Sequence, residues 1–103
     1  MKPSTALRKT SGLVAVIYNG LGSYTVRRPY DYCKPQGATT CGNSSGSYWA
    51  ARNNAKLMRV YHACYFLGLS KEEARDVEAY AHTHQDQTAL QILTNAIAKR
   101  PQP

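Results

Sequence analysis

With 103 residues, 43% of them hydrophobic and only 18% charged, the chain is the size of one domain and can bury a modest core, which argues against disorder throughout. No apolar run approaches the roughly 20 residues of a membrane helix, and the short apolar stretch after Lys2, Arg8 and Lys9 does not make a signal peptide. Three cysteines are an odd and sparse set for a disulfide scaffold, so a reducing, cytoplasmic setting is expected.

The net charge of +7 is polarised. Met1–Val60 holds nine Lys/Arg against one acid, Asp31, and sums to +8; the remainder holds four bases against five acids and sums to −1. Charge segregated in this way predicts a face that meets something anionic.

Taken in chain order, residues 1–12 are polar and basic without periodicity and read as a tail. Leu13–Tyr18 is rich in β-branched residues and predicts a strand. Asn19-Gly20-Leu21-Gly22 supplies the positive-φ residues of a hairpin turn, and Ser23–Arg28 returns as the partner strand, ending at Pro29. Tyr30–Gly46, rich in Gly, Ser, Thr and Asn, reads as a long ordered loop or a short irregular third strand.

Helical signals dominate from Ser47. Ser47 caps a helix to about Leu67, stopped by Gly68, with Ala50, Leu57, Met58, Tyr61, Cys64 and Tyr65 as its inward stripe. Ser70-Lys71-Glu72-Glu73 is a capping box opening a second helix to about His82, with Ala74, Val77, Tyr80 and Ala81 inward. Asp86 is expected to cap a third helix carrying Ala89, Leu90, Leu93, Ala96 and Ile97, which Pro101 ends. The expected fold is α+β: an antiparallel hairpin, with room for a third short strand, packed on three C-terminal helices, as one domain over residues 13–100 followed by a tail at 101–103.

Two groupings point to a partner. Arg52, Lys56 and Arg59 fall within about 60° on the predicted first helix, with no acid one turn away to neutralise them. Such a row can follow phosphates. The strand and its exit, Tyr24 to Lys34, interleave aromatic and basic residues, with Arg27, Arg28, Tyr30, Tyr32 and Lys34 available to stack on bases and hold a backbone. Strand alternation sets Tyr24, Val26 and Arg28 on one face and Thr25 and Arg27 on the other, and one of those faces must be core.

Other chemistry is weakly signalled. Ala63–Ser70 followed by Ala74 and Val77 loosely resembles a helix-turn-helix, but Glu72, Glu73, Asp76 and Glu78 would face phosphates, which excludes sequence-specific duplex reading there. Cys33 and Cys41, His62 and Cys64, and His82 and His84 lack the tight spacing of zinc ligands, so no metal or other cofactor is expected. His82, His84 and Asp86 form the only local grouping for metal-free hydrolysis.

The expectation is therefore a non-enzymatic binding protein that engages nucleic acid or a nucleoprotein complex, as regulator or inhibitor, through Arg27, Arg28, Tyr30, Tyr32, Lys34, Arg52, Lys56 and Arg59. The alternative is an inhibitor of the phage or plasmid anti-defence (anti-CRISPR-like) type, docking on a host protein complex with the same Arg and Tyr as anchors. A small nuclease is the minor alternative. On this reading Arg52→Glu with Arg59→Glu should abolish binding at a stability cost within about 1 kcal/mol.

Overall fold

The structure, a computed structural model, describes residues 1–32 and 40–99. Lys34, Cys33 and the expected tail at 101–103 lie outside the described residues. Among those described, a three-stranded antiparallel sheet and four helices make an α+β fold, in the order α1 (Pro3–Thr10), β1 (Ala15–Gly20), β2 (Ser23–Pro29), β3 (Thr40–Ser45), α2 (Tyr48–Phe66), α3 (Lys71–Thr83) and α4 (Ala89–Ala98). No helix of the described residues is long and apolar enough to cross a membrane.

The first correction is at the N-terminus, where a helix replaces the expected tail. Pro3 stands in the first turn, where its fixed φ suits a helix and its missing N–H is no loss, and Arg8 and Lys9 sit at the negative end. Ala6 and Thr10, one turn apart, are fully buried, so tertiary packing rather than sequence periodicity makes this short helix.

β1 and β2 pair with Tyr18 opposite Tyr24 and Val16 opposite Val26. Their two-residue turn has Leu21 at φ +54° and Gly22 at +75°, the left-handed pair that matches strand twist. β3 then pairs with β2, Thr25 opposite Ser44 and Arg27 opposite Gly42. The irregular stretch before Ser47 thus ends in a true strand, and the sheet order is β1-β2-β3.

α2 is the centre of the molecule, capped by the Ser47 side chain accepting from the Ala50 amide. It is packed on two sides, which breaks the expectation of a single inward stripe. Ala51 and Ala55 press on Val14 and Val26 of the sheet layer, their small side chains letting helix and sheet approach closely. Leu57, Val60, Ala63 and Cys64 join Ile92 and Leu93 in the helical core. Ala50 and Tyr65, expected inside, are exposed, whereas His62 is buried.

α3 opens on the expected capping box of Ser70 and Glu73 and buries Ala74 and Ala81. α4 is capped by Thr88 and Gln91, not by Asp86. Thr-x-x-Gln satisfies two free amides reciprocally, and a lone Asp two residues earlier cannot compete with that. Of the expected stripe, Leu93 is buried and Ala89 and Ile97 pack on the core, whereas Leu90 is exposed and Ile92 is buried in its stead.

Candidate functional site

The third side of α2, facing neither sheet nor helical core, carries Arg52, Lys56 and Arg59. With Val14 and Val16 of the sheet layer, and with Gln85 and Thr88 between α3 and α4, they line a groove of about 810 Å³. Among the described residues three cations and no carboxylate line it; the acid nearest in sequence is Asp86, exposed in the α3–α4 turn. Its upper end is the start of α2, where Tyr48 and Trp49 complete the lining. Trp49 is 74% exposed, although burying an indole ordinarily contributes about as much as any side chain can.

The three cations are held differently. The Arg52 guanidinium lies 5.7 Å from both the Tyr48 and Trp49 ring centres, a cation–π arrangement on an exposed side chain. Lys56 Nζ donates to the Gln85 carbonyl at 3.2 Å and to the Gln87 carbonyl at 2.5 Å, pinning the turn that forms the opposite wall. Arg59 donates from Nε to Thr10 Oγ1 at 3.3 Å and from Nη2 to the Leu7 carbonyl at 3.4 Å, binding the carbonyl end of α1. Neutral carbonyls take up donors without cancelling charge. An ammonium has three N–H donors and a guanidinium five, so each cation keeps donors for a ligand.

The dipole of α2 adds to this field. Its positive end lies under Tyr48 and Trp49, and its first turn contains no acid to offset it. Next to it runs a chain of rings: Tyr18 to Tyr24 at 5.1 Å, Tyr24 to Tyr48 at 5.6 Å, and Tyr48 to Trp49 at 6.0 Å. Sequence reasoning missed Trp49. The available signal was the chain's one tryptophan placed two residues after the Ser47 cap and three before Arg52.

The other expected residues separate from this groove. Val26 is buried against α2, which fixes Tyr24 and Arg28 on that face and Arg27 on the outer one. Arg28 lies in a second cavity, of about 260 Å³, with Tyr30, Tyr32, His62, Arg75 and Glu78. Burial pushes the Glu78 carboxyl up, while Arg28 and Arg75 pull against that rise. His62 is driven down to about 4 by burial, with the Arg28 charge adding to the effect. Arg28 thus faces the Arg75 and Glu78 side of α3 across this cavity. Tyr32 donates to the Leu69 carbonyl at 2.9 Å and packs on Tyr61 and Tyr65, so its ring and hydroxyl are taken up within the fold, whereas Tyr30 stays exposed. Among the described residues the groove on α2 brings Arg52, Lys56 and Arg59 together, while Arg28, Tyr30 and Tyr32 line the second cavity.

His84, of the minor hydrolytic grouping, stacks on Tyr80 at 3.8 Å and donates from Nδ1 to the Tyr80 carbonyl at 2.9 Å. His82 and Asp86 are exposed on either side of it. Among the described residues no three His, Cys, Asp or Glu gather as a metal site. Cys64 is buried, its thiol pushed up to about 12 by burial and by Glu73 and Glu78, which suits a core residue and not a nucleophile. No family model matches the chain, and no significant similarity was found among curated proteins or solved structures.

Proposed function

We propose that this is a non-enzymatic protein that binds single-stranded nucleic acid along the α2 groove, acting as a regulator or inhibitor of whatever uses that strand. The observation that carries the reading is the pairing of three cations, in a lining free of carboxylates among the described residues, with an exposed Trp49 and Tyr48 at one end. Phosphates suit Arg52, Lys56 and Arg59, and an unpaired base suits the indole face. A stacked base contributes about 1–3 kcal/mol without regard to sequence. A duplex hides its bases, so it would use only the cations.

The test uses Trp49 itself, the chain's one tryptophan. A labelled 12-nucleotide single strand should bind and quench its fluorescence. With three phosphate contacts the affinity should fall with salt at a log–log slope of about −2. Trp49→Ala should weaken binding by about 5- to 150-fold, the stacking contribution, and the matching duplex should bind less well than the strand. No quenching, or equal affinity for strand and duplex, would sink the proposal.

One observation favours a second reading, a protein inhibitor. Leu21 is fully exposed at the hairpin tip with φ +54°, where Asn or Gly is the usual residue and leucine costs about 1 kcal/mol. An unburied leucine in a strained turn suits the socket of a protein partner. Under that reading Leu21→Asn would abolish function while leaving strand binding unchanged.

A further inference from the structure

The sheet order leaves β1 at an edge, hydrogen-bonded to β2 alone among the described residues. Half of an edge strand's backbone N–H and C=O groups point outward without strand partners, and proteins usually guard such edges with Lys, Pro, a mid-strand bulge or a covering element. β1 reads Ala-Val-Ile-Tyr-Asn-Gly. In a chain with 13 Lys/Arg it carries no charge and no proline. Its single irregularity lies between Tyr18 and Gly20 at the turn, so Ala15–Tyr18 pairs regularly with β2. Ile17 and Tyr18 are exposed on it. The other edge, β3, reads Thr-Cys-Gly-Asn-Ser-Ser, a composition that favours strand pairing far less.

We infer that β1 pairs antiparallel with β1 of a second copy, forming a two-fold dimer with one six-stranded sheet and a ligand cleft shared between the copies. The occupant follows from charge. Two molecules of +7 repel wherever their basic faces meet, and β1 is an uncharged strip along which their backbones can close. Antiparallel pairing of identical strands is self-complementary, and its two-fold axis stands normal to the sheet. Both α2 helices therefore lie on the same side of the joined sheet.

The consequence for the groove is direct. Val16 of β1 already lines it, so pairing continues its floor into the second copy. The two grooves then lie on the same side of one sheet and present Arg52, Lys56 and Arg59 twice. This shared cleft rests on the functional reading above; the strand pairing does not. Six like charges across a cleft oppose the free dimer at low salt, and a polyanion between them removes the opposition. Strand binding and dimerisation are coupled by mass action.

Sedimentation of the full chain tests this, alone at low and at 0.5 M salt, and with a 12-nucleotide oligo-dT strand. The expected results are a monomer at low salt, a dimer at high salt, and two chains per strand in the complex. Ile17→Lys, at an exposed position, should keep the fold by circular dichroism and raise the dimer dissociation constant at least tenfold. Amide exchange gives a readout without a variant: Ala15–Tyr18 should gain protection only in the dimer. A strict one-to-one complex, no dimer at high salt, or a dimer unaffected by Ile17→Lys would overturn the inference and leave the groove reading standing. A high-salt dimer that Ile17→Lys abolishes but that binds no strand supports the pairing and removes the nucleic-acid reading.

Discussion

Arg52 and Arg59 are seven residues apart on the same side of α2, yet the structure predicts opposite consequences for their removal. Arg59 ties two helices, donating to Thr10 Oγ1 and to the Leu7 carbonyl at the end of α1. Hydrogen bonds from a charged donor contribute about 1.5–3 kcal/mol. Arg59→Glu also sets a carboxylate against the negative end of α1, a further cost of about 0.3–1 kcal/mol. The expected loss is about 2–4 kcal/mol, or roughly 10–25 °C in Tm for a domain of this size. Arg52→Glu loses an exposed cation–π contact of about 0.5–1 kcal/mol, but it moves a carboxylate close to the positive end of α2, which offsets a similar amount. Its Tm should shift by no more than about 5 °C in either direction, while strand binding is lost. Thermal melts of both single variants, beside the fluorescence titration, decide the matter. Equal Tm losses would refute the reasoning. The double Glu variant is accordingly not a clean probe of binding, although the sequence alone presents both residues as solvated.

Two further outcomes follow from the packing. A Cβ on Gly42 would lie 2.6 Å from Thr25 Cγ2, and Thr25 is held in place because Asn19 donates to its hydroxyl at 2.7 Å. Gly42→Ala should therefore cost about 1 kcal/mol by overpacking, and adding Thr25→Ser, which removes the methyl and keeps the hydroxyl, should restore most of it in denaturant melts; no rescue would mean the clash is not the cause. His62, lowered to about 4 against 6.5 when unfolded, binds its proton less well in the folded state. Its contribution is full above pH 6.5 and is lost as pH falls toward 4, up to about 3 kcal/mol. Glu78, with its carboxyl raised, acts in the opposite direction, regaining stability as the pH falls. His62→Gln should flatten the fall in Tm between pH 6.5 and 4, and an unchanged profile would contradict the burial argument.

The elements that could be read from the sequence are those whose signal is local. The β1–β2 turn was legible because Gly20 and Gly22 need no neighbour to explain a left-handed backbone, and α3 because Ser70 and Glu73 satisfy each other's amides within one turn. The misses share a different cause. α1 is eight residues long and depends on burying Ala6 and Thr10 against partners far along the chain. The stripe on α2 holds for Leu57, Met58, Tyr61 and Cys64 but omits the sheet side, because alanines at 51 and 55 mark a contact that a search for large apolar residues passes over. At the site, helical spacing correctly united Arg52, Lys56 and Arg59 on one lining. It could not show that Arg28, adjacent to Arg27, turns inward to face Glu78 from a helix fifty residues on.

Charge segregation along a chain does not by itself make a binding face; what matters is which cations the fold leaves available. Arg28 lines a separate cavity with Glu78 and His62, and Arg59 and Lys56 spend part of their donors holding α1 and the α3–α4 turn. Arg52 alone among the groove cations rests on exposed rings instead of a backbone carbonyl. A ligand phosphate would draw it from those rings without breaking any link between elements, and would uncover the Trp49 face as it did so. The same anion would add to the hold of Lys56 and Arg59 on their walls, since each has N–H groups to spare. Binding is thus expected to stabilise the contact between α1 and α2 as well as the site. A rise in the Tm of the wild-type chain on strand addition that is lost in Arg52→Glu, and halved in Arg59→Gln, is the pattern this division of labour requires.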